Sequence, residues 1–322
     1  MAGGGEFGFI RTRLAPLTRG HPAALDLSDD AAVLTPDPAC QLVVASDMLV
    51  AGVHFLESDP PEIAAERALR SNLSDLAAMG AEPLGYLSSI AWPSGVTQAW
   101  RDGFVDGLAS AQDAFGLSLL GGDTTTGPGP LTVSLTMLGQ VPAGSALLRR
   151  GAQIGEDVWA SGTIGDARLG LDVARGVLPA NPVLLERYQR PTPRLALGIG
   201  LRGLASACLD ISDGLIADAG HIAAVSGVRL ELQASQVPLS SLARSWLAGE
   251  SGASLIALVT GGDDYELLFC APQASRAAVQ ALGAQLDLAL TRIGTVRDGQ
   301  GVALIGADDE VLETGAGGFT HF

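Results

Sequence analysis

The chain has 322 residues, 47% hydrophobic and 17% charged, enough for a large core and long enough for two domains. Its 35 acidic residues against 19 basic ones leave a net charge of −16, a balance that repels nucleic acid and anionic membrane surfaces. All 19 bases are arginine, which excludes chemistry that needs a lysine: a Walker A loop, a protein-kinase ATP site or a Schiff base.

In chain order, residues 5–17 read as helical, and LDLSDDAAVL (25–34) reads as a loop entering a strand. The start, MAGGGEFGFIRTRL, lacks a basic segment followed by an apolar stretch, and no run approaches the roughly 18 apolar residues of a membrane span. A cytoplasmic location is expected. QLVVASDMLVAGVHF (41–55) is β-rich, whereas residues 60–81 open with proline and carry apolar residues at helical spacing. PLGYLSSIAW (83–92) reads as a strand, residues 97–116 as a helix ending in glycine, and LSLLGGDTTTGPGP (117–130) as a short strand breaking into a glycine-rich loop. The strand LTVSLTMLGQV (131–141) follows. Residues 141–157 are rich in turns and mark a boundary, giving expected domains 1–141 and 142–322.

Beyond it a second α/β unit begins at VWASGTIG. ARLGLDVARG, PVLLERYQR and PRLALGIGLRGLA look helical, and ACLDISD (207–213) is a strand feeding the helix GLIADAGHIAAVSG. After the strand VRLELQASQ, the segment LIALVTGGDDYELLFCAP reads as two strands around a glycine turn, with a helix (273–287) and short strands to finish. Cys40, Cys208 and Cys270 lie far apart with no CxxC pair, and read as small buried residues in a reducing compartment.

Aspartates recur where an element meets a small-residue turn: Asp29, Asp30, Asp47, Asp75, Asp123, Asp210, Asp213, Asp263 and Asp264. Any one of them suits a turn, because its side chain bonds nearby backbone N–H groups. As a set, most follow apolar strand-like runs, and strand ends in α/β folds gather at one edge where ligands bind. Carboxylates converging there would repel one another unless hard cations sat between them, and Mg²⁺ bridges such carboxylates to phosphates. Asn72 and Asp75 share a helix face; alternatively Ser71 or Asn72 caps a second helix, with Asp75 in its first turn. GGDTTT suits a nucleotide phosphate or an ordinary hairpin loop, and Arg149 with Arg150 could clamp phosphate oxygens or simply be solvated. His54 offers a substrate hydrogen bond or a structural one. GIGLRG (198–203) matches a dinucleotide fingerprint but has no strand before it, and no G-x-S-x-G elbow or HExxH zinc motif occurs.

Together GEFGFI (5–10), SDDAAVL (28–34), SDMLVAGVHF (46–55), NLSDLAAMGAEP (72–83), GGDTT (121–125), DISDGL (210–215) and GGDDYELLF (261–269) resemble the thiamine-monophosphate kinase family, in order and spacing, across nearly the whole chain. The resemblance implies the two-domain α/β (α+β) fold of aminoimidazole ribonucleotide synthetase, with N-terminal domains pairing into a homodimer through a β-barrel. It implies small-molecule substrates, ATP and thiamine monophosphate, giving ADP and thiamine diphosphate, with Mg²⁺ as cofactor and no nucleic-acid or membrane partner. Asp30, Ser46, Asp47, Asp75, Asp123, Asp210 and Asp213 resemble the family's magnesium ligands, with Asp75, Asp123 and Asp210 the expected catalytic acids. Gly122, Asp123, Arg149 and Ser212 resemble its ATP contacts, and His54 and Asp263 its contacts to thiamine monophosphate. The chain departs from the family's pattern at Ser28 (usually glycine), Asp263 (usually glutamate) and Ala316 (usually aromatic), where Phe319 is the expected substitute. The rival readings are an aminoimidazole ribonucleotide synthetase-like or hydrogenase-maturation-like ATPase, and a non-catalytic nucleotide- or metal-binding protein; a selenophosphate synthetase lacks its usual Cys-or-Sec/Lys pair here.

Overall fold

Residues 5–249, 254–315 and 317–319 are described by the computed structural model. The chain divides into two units, Met1–Leu76 with Glu82–Gly144, and Ala77–Ala81 with Ser145–Phe322.

The first unit begins with α1 (Glu6–Phe9), which loosens into a π turn at Ile10–Leu14 and tightens into a 3₁₀ turn at Ala15–Thr18. Pro16 explains the change, since it has no N–H to continue an α-helical ladder. The strand expected within residues 25–34 does not form. A 3₁₀ turn covers Pro22–Leu27, and Leu25, Asp26 and Leu27 adopt left-handed backbone with φ of 48, 54 and 53°. The Val33 N–H donates to the Ala23 carbonyl (2.9 Å) and ties the extended residues back.

β1 (Cys40–Val50), α2 (Pro61–Ala78, whose last two residues belong to the second unit), β2 (Glu82–Pro93), α3 (Gln98–Phe115), β3 (Leu119–Gly127) and β4 (Thr132–Pro142) complete the unit. Thr97 caps α3 by accepting from the Trp100 N–H, and Gly116 ends it in left-handed conformation. The strands form an open sheet in the order β1-β4-β2-β3, antiparallel except for the β2/β3 pair. Alternation along β4 buries Val133, Leu135, Met137 and Val141 completely. On edge strand β1 the outward residues Leu42, Val44 and Met48 stay exposed. The glycine-rich run 121–127 is not a loop: β3 continues through it, with Gly122 opposite Ser88 and Asp123 opposite Ser89. At Gly122 a β-carbon would overlap the Ser88 carbonyl oxygen, so only glycine lets the two strands close.

The second unit holds β5 (Asp157–Ser161), α4 (Asp166–Ala174), α5 (Pro182–Gln189), α6 (Leu195–Leu201), β6 (Ala207–Asp210), α7 (Leu215–Ser226) and β7 (Arg229–Gln233). These are followed by α8 (Ser241–Gly249), α9 (Leu255–Val259), β8 (Leu267–Ala271), α10 (Arg276–Gln285), β9 (Leu290–Arg297), β10 (Gly301–Ile305) and β11 (Val311–Leu312). Seven strands line up as β11-β10-β7-β9-β5-β8-β6. Both faces are covered, which is why LLFCA in β8 is apolar throughout: Leu268 and Cys270 enter one core with α7, Leu267, Phe269 and Ala271 the other with α6 and α10. LIALV, expected as a strand, is helix α9, started by the Ser254 hydroxyl accepting from the Ile256 N–H. A short apolar run carries no period that separates the two states. The G-x-G of GIGLRG lies in α6, where a β-carbon at Gly198 would overlap the Ala77 carbonyl; the glycine serves packing. Among the described residues no helix is long and apolar enough to cross a membrane.

Candidate active site

In the first unit, β3 carries Gly122 and Asp123 to the wall of a cavity of about 640 Å³, and the segment after the left-handed turn brings Asp29 and Asp30 to the same wall. Leu27, Leu34, Leu87, Leu120 and Leu138 make its apolar floor. The cavity is thus greasy at its base, with acids around it.

Asp47 and Asp75 are linked through Asn72. α2 runs unbroken from Pro61 to Ala78, so neither Ser71 nor Asn72 caps a second helix. Asn72 is fully buried, donating to the Ala68 carbonyl (2.9 Å) and accepting the Asp47 N–H (2.9 Å). This joins the strand bearing Asp47 to the helix face bearing Asp75, three residues on. Ser46 and Asp47 are both exposed on β1 but, as neighbours on a strand, lie on opposite faces of the sheet; the Ser46 hydroxyl meets that of Thr136 (3.1 Å). His54, four residues past the end of β1, accepts the Val50 N–H at Nδ1 (3.0 Å), which places the proton of the neutral ring on Nε2. Its carbonyl takes the Nε–H of buried Arg67 (3.0 Å), fixing the turn.

In the second unit the candidates converge on the exit of β6. Asp210 ends the strand, 6% exposed, and Ser212 and Asp213 follow in the loop before α7. The Asp263 N–H donates to the Ser212 carbonyl (2.8 Å) and the Tyr265 N–H to that of Ile211 (2.8 Å). Asp263 and Tyr265 both sit at positive φ, 65° and 50°, a conformation that costs a non-glycine residue energy and needs such bonds to hold it. From the chain's far end the Phe319 N–H donates to the Asp213 carbonyl (3.1 Å), leaving its ring half exposed. Asp210, Ser212, Asp213, Asp263 and Phe319 therefore share one loop cluster. Arg149 is exposed; its carbonyl accepts from the Ser226 hydroxyl (3.5 Å). Ala316 lies outside the described residues.

Two neighbours were not foreseen. Asp218 and His221 stand three apart on α7, a spacing legible in the sequence, and with Asp213 they offer ligand atoms within 4.8 Å of one another. Among the described residues this is the group of three or more acidic or histidine side chains gathered that tightly. One Asp218 oxygen accepts the N–H groups of Ser212, Asp213 and Gly214 (3.0, 3.0 and 3.1 Å). Burial nevertheless pushes its pKa up to about 7, with the charges of Asp210 and Asp213 adding to the shift and the backbone bonds opposing it. The negative charges of Asp210 and Asp213 thus bear on Asp218; two of the three donors are carboxylate oxygens, which suit a hard divalent cation such as Mg²⁺, and the third is a His221 ring nitrogen.

The N-terminal domain of the AIR synthase related protein family matches residues 28–141, and its C-terminal domain residues 155–307. Thiamine-monophosphate kinase of Caulobacter vibrioides is 47% identical over 302 residues, 92% of this chain and 86% of that protein. The crystal structure of thiamine-monophosphate kinase from Stenotrophomonas maltophilia superposes with a TM-score of 0.83 at 41% identity, covering 94% of this chain and 98% of that one. The structure of AaThiL complexed with AMPPCP and TMP superposes with a TM-score of 0.79 at 30% identity, covering 99% and 97%.

Proposed function

Since the chain belongs to the thiamine-monophosphate kinase family of AIR synthase related proteins, we propose that it transfers the terminal phosphoryl group of ATP to thiamine monophosphate, giving ADP and thiamine diphosphate. The observation that carries this reading is the locked loop cluster at the exit of β6, in which the nucleotide candidate Ser212 and the thiamine candidates Asp263 and Phe319 are tied by backbone hydrogen bonds. A relative complexed with AMPPCP and TMP over almost the full length of the chain supports the same pair of substrates.

The acceptor is a phosphate monoester, whose attacking oxygen is already anionic at neutral pH, so no strong general base is needed. The barrier is electrostatic and geometric: two polyanions must meet in line. With no lysine in the chain, Asp30, Ser46, Asp47, Asp75, Asp123, Asp210 and Asp213 would hold Mg²⁺, which when bound neutralises phosphate charge. We assign catalytic roles to Asp75, Asp123 and Asp210, as the family resemblance implies. Gly122, Asp123 and Ser212 line the nucleotide phosphates, and Arg149 contributes a guanidinium that can grip phosphate oxygens bidentately. His54 donates from Nε2 to the acceptor, Asp263 faces the cationic thiamine, and the Phe319 ring stacks on it. The outward face of β1, with Leu42, Val44 and Met48 exposed on a strand that ends its sheet among the described residues, supports pairing of two copies into a dimer.

A coupled assay of ADP release tests the reading. Thiamine monophosphate is expected to trigger ATP consumption and free thiamine is not; ADP release with an aminoimidazole-type or hydrogenase-maturation substrate instead, or Mg²⁺-dependent ATP binding with no acceptor turned over, would overturn it.

A further inference from the structure

Glu266 closes the GGDDYE motif, in which the family resemblance assigned a role only to Asp263. It is 0% exposed, yet it is charged. Its carboxylate accepts from Arg194 through both Nε (2.7 Å) and Nη2, from Arg187 Nη2 (2.9 Å) and from the Ser161 hydroxyl (2.5 Å). Burial opposes its ionisation, but the arginines and the hydroxyl outweigh that and hold its pKa below the usual carboxylate range. Gly162, at φ 56°, makes room: a β-carbon there would overlap this carboxylate.

The backbone of the same residue does something else. Its carbonyl accepts the Ile211 N–H (2.8 Å), and with the Tyr265-to-Ile211 and Asp263-to-Ser212 bonds it carries the β6/β8 pairing past the last strand pair, Asp210 opposite Leu267. Ser161 is shared as well, since its oxygen accepts the Leu267 N–H (2.9 Å). An apolar side chain would fill this interior with no desolvation cost. A carboxylate gripped on two sides by planar guanidiniums adds direction, which apolar packing cannot supply.

Resting on the function proposed above, we infer that Glu266 is a positioning residue: clamped by Arg194, Arg187 and Ser161, it holds the loop bearing Asp263 in register with the Asp210–Asp213 loop. The clamp acts through backbone and touches neither substrate. It sets the spacing between the residues assigned to ATP and those assigned to thiamine monophosphate in this unit, and it holds Asp263 and Tyr265 in their left-handed conformation.

Two variants and two readouts test this. In Glu266→Gln the shape is kept and the charge removed; kcat with thiamine monophosphate is expected to fall by about a hundredfold, the loss associated with misplacing reacting groups by about 1 Å, while KM for ATP moves less. Hydrogen exchange at Ile211, Asp263 and Tyr265 is expected to speed up at least about tenfold, with amides in the middle of α7 unchanged. Pairing Glu266→Leu with Arg194→Met refills the volume without the Arg194 ion pair and leaves Arg187 to the charges of Asp264 and Asp166. Recovery of the melting temperature without recovery of kcat supports positioning; recovery of both together reduces Glu266 to a stabilising contact and overturns the inference. Unchanged kcat and exchange in Glu266→Gln, beside an active parent, overturns it too. A parent that turns over no thiamine monophosphate refutes the function instead, and the exchange measurement still decides the clamp. If the double variant does not fold, Glu266→Gln decides alone.

Discussion

Asp218 gives the most direct measure of the charge stored at the exit of β6. It is 4% exposed, and its pKa is raised from 3.8 to about 7, first by burial and then by Asp210 and Asp213. A carboxyl whose pKa is higher in the folded chain than in the unfolded one binds its proton more tightly when folded. Its contribution to stability is complete below about pH 4 and is lost as the pH rises through about 7. At 1.36 kcal/mol per pH unit of displacement, the loss at pH 8 is about 4 kcal/mol, an upper figure because some charge relaxes into solvent. Asp218→Asn keeps an oxygen for the Ser212, Asp213 and Gly214 N–H groups and removes the charge. In EDTA, urea melts of parent and variant should agree most closely near pH 4 and diverge through pH 7 in favour of the variant, then run parallel. Added Mg²⁺ should raise the parent more than the variant, since it offsets the charge the variant lacks. A difference independent of pH would show that Asp218 is ionised without penalty, and would remove the argument that this cluster awaits a cation.

Asp75→Asn and Asp123→Asn are each expected to abolish turnover in the coupled assay while leaving the circular-dichroism melt within a few degrees of the parent; normal activity in either removes that residue from the mechanism. Gly122→Ala should cost about 2–3 kcal/mol in urea unfolding, because the added methyl overlaps the Ser88 carbonyl where two strands must close. Val44→Glu places a charge on the exposed apolar face of β1, and sedimentation should show the proposed dimer converted to monomer; an unchanged dimer mass would move the pairing surface elsewhere, and a monomeric parent would refute the dimer.

Several elements were legible before any coordinates. Pro61 and the helical spacing after it announced α2, Thr97 and Gly116 bracketed α3, and the alternation of LTVSLTMLGQV announced β4. Composition also set an expectation about the chemistry: if a chain with 19 arginines and no lysine handles phosphate, metal ions and arginines must supply the positive charge. The order of its motifs carried the family.

Local pattern did not carry everything. LIALV became a helix because a single serine hydroxyl started it, and residues 25–27 took a left-handed turn that no apolar period encodes. Periodicity records which face of a segment is buried, and says nothing about which distant partner buries it. Glu266 meets arginines 72 and 79 residues away, and Asp218 feels Asp210 and Asp213 only because a strand ends and a helix begins around them. Composition and motif order could therefore name the chemistry, while the balance of charge at each carboxylate was decided only when the chain closed on itself.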